Sequence, residues 1–192
     1  MRGRFVKKWF ELTKKKQYVI ISGIILFFFI LIHIFKLDQI PYGYHIDEAG
    51  AAYDSYCLSY FGIDRYLNEF PVYLINFGRG QSILYAYCCI PFIRLLGFSL
   101  FAVRMPAFCF SLISYFSITW IVKTLIGKKE SLLAQCLLLV LPYFTMQARF
   151  GLDCNLLLPM LSLSIAVLIQ ACIKKSWYLY LFTGISFGIK YK

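Results

Sequence analysis

The chain of 192 residues is 60% hydrophobic and 19% aromatic with a mean hydropathy of +0.70, well outside the range of a soluble domain of this length. Its net charge of +11 does not point to nucleic acid, because the cations punctuate apolar runs and form no patch interleaved with aromatics. The seven cysteines lack metal-ligand spacing, their odd number argues against a disulfide framework, and two histidines, His33 and His45, cannot build a metal site alone.

Residues 1–17 form a basic N-terminus carrying Arg2, Arg4, Lys7, Lys8, Lys14, Lys15 and Lys16, which the positive-inside rule assigns to the cytoplasm. The apolar run 18–35 is longer than the core of a signal peptide and no small-x-small cleavage site follows it, so it reads as a retained signal anchor and first span. His33 falls near its outer end as a packed residue. Further apolar runs cover 81–98, 105–126, 131–147 and 156–173, and an incomplete fifth span covers 177–192.

Parity decides which of these cross. If the N-terminus, Lys128/Lys129 and Lys174/Lys175 share one side, an even number of crossings separates each cluster from the next. One of the first three runs must then stay uncrossed. The run 81–98 is the choice, because its uninterrupted core is short and carries Pro91 and Arg94, and an arginine at the interface can snorkel into headgroups. An outer loop is therefore expected over 36–104, with helices near 48–61 and 81–97, and a second outer loop over 148–155. The fold class is an all-α, polytopic membrane protein, with the cell membrane as its expected location.

This topology sorts the acids. Of nine, only Glu11 and Glu130 fall inside, whereas Asp38, Asp47, Glu48, Asp54, Asp64, Glu69 and Asp153 lie outside with Arg65, Arg79, Arg94, Arg104 and Arg149. Carboxylates and guanidinium groups gathered on one face of a set of spans suit an anionic, lipid-linked substrate. A small transporter subunit would need ionisable groups within the spans, which contain no Asp or Glu. A non-catalytic membrane module packing with a partner is the other competing class.

In the first loop, Asp47 precedes "EAGAAYDSYCLSYFG" and reads either as the N-cap of a helix ending at Gly62 or as a functional acid. Asp54, seven residues on and on nearly the same face, reads as a solvated surface acid. Tyr53, Tyr56, Cys57 and Tyr60 form a stripe that suits lipid or another helix. The stretch "NFGRGQS" reads as an irregular turn whose Gly-x-Gly lacks a preceding strand, yet it sets Arg79 where a phosphate could meet it. In "QARFGLDCNLLLP", Arg149 and Asp153 suit a salt bridge or helix cap as well as a site. Gly184 and Gly188 suggest close helix packing.

Four stretches in this order, "HIDEAGAAYDSY", "FPVYLINFGRGQSILYAY", "LLGFSLFAVRMPAF" and "ARFGLDCNLLLP", resemble the protein O-mannosyltransferase and aminoarabinose-transferase superfamily of C-type membrane glycosyltransferases. The resemblance covers most of 40–160. It implies a polyprenyl-phosphate sugar donor, an unspecified protein, lipid or glycan acceptor, no nucleic-acid partner, and a large first loop bearing juxtamembrane helices. By similarity Asp47 matches the catalytic acid with Glu48 as its neighbour, and Asp153 the acid of the second loop. Arg104 matches the arginine before the proline and, with Arg79 and Arg149, is expected at the donor phosphate. A divalent cation is the candidate cofactor, with Glu48 and Asp153 as its candidate ligands. Some branches carry Lys-Pro-Pro where this chain has Arg79-Gly80-Gln81, which leaves the donor sugar open. Relatives of this kind run several hundred residues, so an N-terminal fragment, inactive or partial, is expected.

The expected chemistry is transfer to an acceptor hydroxyl on the outer face with inversion. A hydroxyl is too weakly acidic to attack an anomeric carbon unaided, so a carboxylate, Asp47, takes its proton during attack. The leaving phosphate needs charge stabilisation, which arginines can supply.

Overall fold

The computed structural model describes the backbone of residues 2–76 and 78–188, with side chains from Lys16 onward except those of Phe77, Arg79 and Gly80. Helix α1 runs Arg2–Ile34 and α2 Ile46–Phe61; a hairpin of β1 (Tyr73–Asn76) and β2 (Arg79–Ser82) follows. Then come α3 (Leu84–Leu96), α4 (Leu100–Leu125), α5 (Lys128–Val140), α6 (Pro142–Arg149), a 3₁₀ turn at Asp153–Leu156, α7 (Leu157–Lys174) and α8 (Trp177–Gly188).

Among the described residues three segments, Lys16–Ile34, Leu100–Leu125 and Asp153–Lys174, are long and apolar enough to cross a membrane. A fourth crossing is available if α5 and α6, bent by 60° at their junction, act as one broken span. The bend falls where Pro142 opens α6, since proline has no N–H to continue the ladder of α5. Outward-facing Val19, Ile20, Ile24, Phe27, Phe28 and Leu31 give α1 a surface suited to lipid. Helix α4 lies at the centre, against α3, α5, α6 and α7, while α1 packs on α5 and α6.

Where apolar side chains meet lipid as readily as each other, small residues and polar contacts hold helices together. Tyr115 in α4 donates to Gln135 Oε1 in α5 at 3.0 Å, and Tyr18 of α1 pairs with Ser131 Oγ at 2.9 Å. Helices α7 and α8 meet through the hydroxyls of Ser164 and Ser186, 2.9 Å apart. The close approach expected at Gly184 and Gly188 is not made, since a Cβ at either would meet nothing within 4 Å.

Helix α3 has 13 residues, about 20 Å, too few to cross a bilayer. It is wedged between α2 and α4, with Tyr85, Cys89 and Ile93 fully buried against Ala102, Ala107 and Leu156. Arg94 is exposed on α3. Its Nε and Nη2 donate to the Ser59 carbonyl at 3.1 and 2.8 Å, tying α3 to the end of α2. The stretch read as an irregular turn is a regular antiparallel hairpin, paired from Tyr73 with Ser82 to Asn76 with Arg79. A strand therefore does precede the Gly-x-Gly. Near its tip Gly78 takes φ +75°, a conformation that glycine adopts without strain.

Candidate functional site

The site is organised by the first turn of α2. His45, not Asp47, is the N-cap: its Nδ1 accepts from the Asp47 N–H at 3.3 Å, while its own N–H donates to Glu48 Oε2 at 3.2 Å. This reciprocal capping box sets Asp47 and Glu48 as the second and third helical residues. Successive residues on a helix point about 100° apart, so the two acids diverge. The Asp47 side chain is 46% exposed and that of Glu48 is fully buried.

Asp47 is flanked on both sides. Asn76 Nδ2, at the hairpin tip, donates to Asp47 Oδ1 at 3.1 Å, and His45 Nδ1 lies 3.7 Å from Oδ2. Glu48, in contrast, is saturated. Oε1 accepts from Arg104 Nε and from the Gly151 N–H, both at 2.8 Å, and Oε2 from Arg104 Nη2 at 3.0 Å.

Arg104 and Arg149 do not face a common opening with Asp47. Arg104 is fully buried and donates its remaining N–H groups to the carbonyls of Leu37 and Pro41, both at 2.9 Å, and of Gly43 at 2.7 Å. Arg149 donates to the carbonyls of Ile40, Ile32 and Phe35, the last two at the C-terminal end of α1. Carbonyls at a helix end lack intrahelical partners, and a cation there also meets the negative end of the helix dipole. The two arginines thus tether the segment between α1 and α2.

Asp153 opens the 3₁₀ turn and neither pairs with Arg149 nor caps α7. Its Oδ2 accepts from the Ser82 N–H at 3.2 Å, and its Oδ1 from the Cys154 N–H at 2.9 Å. The hairpin therefore touches both acids, Asp47 through Asn76 and Asp153 through Ser82. Arg79 stands opposite Asn76 in the strand register; its side chain lies outside the described residues.

Asp54, expected at the surface, is buried and bound by Arg65 through Nε at 2.9 and 3.0 Å, Nη2 at 2.6 Å and the backbone N–H at 3.0 Å. Arg65 is held protonated more firmly by that hydrogen-bonded carboxylate, against an opposing effect of burial. Its guanidinium crosses α2 at Gly50, where a Cβ would sit 2.9 Å from Nη2 and 3.3 Å from Asn76 Oδ1. Asp64 organises the loop that carries Arg65, accepting from the N–H groups of Tyr66 and Asn68 and from Asn68 Nδ2 at 2.8 to 2.9 Å.

Of the residues expected at the site, the structure brings Asp47, Asp153 and the backbone of Arg79 to one hairpin, and Glu48, Arg104 and Arg149 to the buried support beneath it. His45, Asn76, Arg65 and Gly151 were not anticipated. His45 had a local signal, the glutamate three residues on; Asn76 and Arg65 act across 29 and 11 residues and had none. Among the described residues no three His, Cys, Asp or Glu side chains gather to hold a metal, and Glu48 has its oxygens engaged.

A family model described as dolichyl-phosphate-mannose-protein mannosyltransferase matches residues 81–192. No curated protein and no solved structure matches the chain.

Proposed function

Because the chain belongs to the dolichyl-phosphate-mannose-protein mannosyltransferase family of membrane glycosyltransferases, we propose that it transfers a sugar from a polyprenyl-phosphate donor to an acceptor hydroxyl at the outer face of its membrane, with Asp47 as general base. The observation carrying this reading is the contrast within one helical turn: Asp47 is half-exposed while its neighbour Glu48 is sealed against Arg104. A base must reach the proton that it removes.

In the proposed reaction the acceptor oxygen attacks the anomeric carbon from the face opposite the phosphate and gives its proton to Asp47. The bond from anomeric carbon to phosphate oxygen breaks with its electron pair remaining on the phosphate, so the configuration inverts. Arg79 is the proposed cation for the donor phosphate. The hairpin that carries it is bonded to Asp153 through the Ser82 N–H and to Asp47 through Asn76. Arg104 and Arg149 act as internal supports, a role matching their burial and carbonyl partners.

The test is turnover with a polyprenyl-phosphate mannose donor in reconstituted membranes, comparing Asp47→Asn with the unmodified sequence in a form of the protein that transfers sugar. Loss of at least about 10²-fold is expected if Asp47 is the base. Turnover near that of the unmodified chain would move the assignment elsewhere.

A further inference from the structure

Resting on Asp47 as the base, we infer that Asn76 is a positioning residue which fixes that carboxylate for proton abstraction. The contact joins two elements that also pack through Leu58 and Leu74. Asn76 ends β1 at the hairpin tip, Asp47 lies in the first turn of α2, and the Nδ2 to Oδ1 bond of 3.1 Å spans 29 residues of sequence.

An aspartate in the first turn of a helix, half in solvent, has several rotamers open to it. A donor on Oδ1 selects one of them and leaves Oδ2 as the oxygen free to take a proton. The groups facing the carboxylate are few. His45 Nδ1 lies 3.7 Å from Oδ2, and the Asp47 N–H is bound to that same His45 nitrogen. Asn76 is therefore the side chain that holds Oδ1.

Asn76 is itself held from beneath. Gly50, one turn after Asp47, presents bare backbone to its Oδ1, and a Cβ there would stand 3.3 Å from that oxygen and 2.9 Å from Arg65 Nη2. Arg65 is fixed by Asp54, on the same face of α2 as Asp47 and Gly50. At the other end of the hairpin, the Ser82 N–H is bound to Asp153. The hairpin is thus bonded at its base and packed against Gly50 at its tip, and a donor held in this way orients its partner, where a mobile one would follow it.

The experiment compares Asn76→Asp, Asn76→Ala and Asn76→Gln in a form of the protein that transfers sugar, with kcat and KM measured for a polyprenyl-phosphate mannose donor. Asn76→Asp keeps the shape, yet turns the donor into a carboxylate facing Asp47. Asn76→Gln keeps the amide N–H on a longer stem. Positioning predicts losses in kcat ordered Asp, then Ala, then Gln, about 10-fold or more for the first two, with KM changed less than about 2-fold. A role confined to packing predicts the reverse order, because the isosteric Asp would be mildest, and that result overturns the inference.

A second readout does not depend on turnover. The carboxyl ¹³C resonance of Asp47, assigned by its disappearance in Asp47→Asn, should move in Asn76→Ala; an unmoved resonance overturns the contact. Failure of the base assignment is distinct from both, since it appears as full activity in Asp47→Asn.

Discussion

Glu48 and Arg104, 56 residues apart in sequence, form a bidentate ion pair with contacts of 2.8 and 3.0 Å, and neither side chain is exposed. The pair joins the first turn of α2 to α4, and every remaining guanidinium contact runs to the carbonyls of the segment leaving α1. Such a pair brings little net stability compared with apolar residues of similar size, but removing one partner strands a buried charge, at about 3–5 kcal/mol. Glu48→Gln should therefore lower the thermal midpoint of the chain in lipid markedly, with Arg104→Leu behaving alike. A midpoint within about 1 °C of the unmodified chain would show that the pair is not the support described.

Gly151 is the third member of that support. Its N–H donates to Glu48 Oε1, and a Cβ there would lie 3.0 Å from the same oxygen and 3.1 Å from Tyr85 Oη. Neither neighbour can yield. Arg104 holds the carboxylate, and Tyr85 donates to the Val103 carbonyl at 2.8 Å from a site whose burial pushes its phenol well above the ordinary range. Gly151→Ala should cost about 1–3 kcal/mol through overpacking, read as a fall in the unfolding midpoint. Unchanged stability would mean that the α6–α7 connection has room to shift.

Asp54→Asn should destabilise the outer segment instead of being silent, as a surface acid would be. It removes the charge that Arg65 meets through three side-chain contacts of 2.6 to 3.0 Å. Because the Arg65 side chain is 22% exposed, water recovers part of the loss, and about 1–3 kcal/mol is expected. Limited proteolysis between residues 62 and 72 reports it: cleavage should rise in Asp54→Asn, and an unchanged pattern would contradict the anchoring role of Arg65.

Much of this architecture is legible in the sequence because hydropathy acts over long runs, and α1, α4 and α7 are such runs. Asp54 is misread because a charge in a short amphipathic segment defaults to solvent unless its partner is known, and its partner, Arg65, lies 11 residues away. The hairpin escaped because "YLIN" and "RGQS" are only four residues each and lack clean alternation. Asp47 and Glu48 stand out as a pair in sequence, but helical geometry alone separates the open acid from the sealed one.

The Asp64 carboxyl gives the loop a defined pH response. Burial pushes its pKa up, but hydrogen bonds from the Asn68 side chain, the Asn68 N–H and the Tyr66 N–H, with the Arg65 charge, outweigh that and hold it below its ordinary value. A carboxylate with a depressed folded pKa adds stability above its unfolded value, about 3.9, and loses it as pH falls through the folded one. The stability difference between the unmodified chain and Asp64→Asn should be constant from about pH 7 to pH 5 and shrink below about pH 4. A difference that grows on acidification would reverse the sign and refute the assignment.

Cysteine accessibility tests the proposed sidedness. Cys154 and Cys172 are both exposed, at opposite ends of the Asp153–Lys174 segment, whereas Cys57 is buried and is a poor reporter. With single-cysteine variants in intact cells, an impermeant thiol reagent should label Cys154 directly and Cys172 only after permeabilisation. The reverse pattern would invert the topology and place Asp47 and Asp153 on the cytoplasmic side.

Asp47 and Asp153 both contact the hairpin, and kinetics should separate their roles. Asp153 accepts a backbone N–H from Ser82 and so fixes the base of the strand that carries Arg79, the proposed phosphate cation. Asparagine in its place retains a carbonyl acceptor but loses the charge-assisted part of that bond, worth about 0.5–1.5 kcal/mol. Asp153→Asn should therefore raise KM for the polyprenyl-phosphate donor by about 2- to 10-fold, with kcat little changed. Asp47→Asn should do the opposite. It keeps the size of the side chain and leaves the capping box of His45 and Glu48 intact, so donor binding survives, but it cannot accept the proton of the acceptor hydroxyl. A fall in kcat of at least about 10²-fold with KM nearly unchanged marks the base. If the two variants exchange these signatures, Asp153 is the base and Asp47 the residue that seats the hairpin.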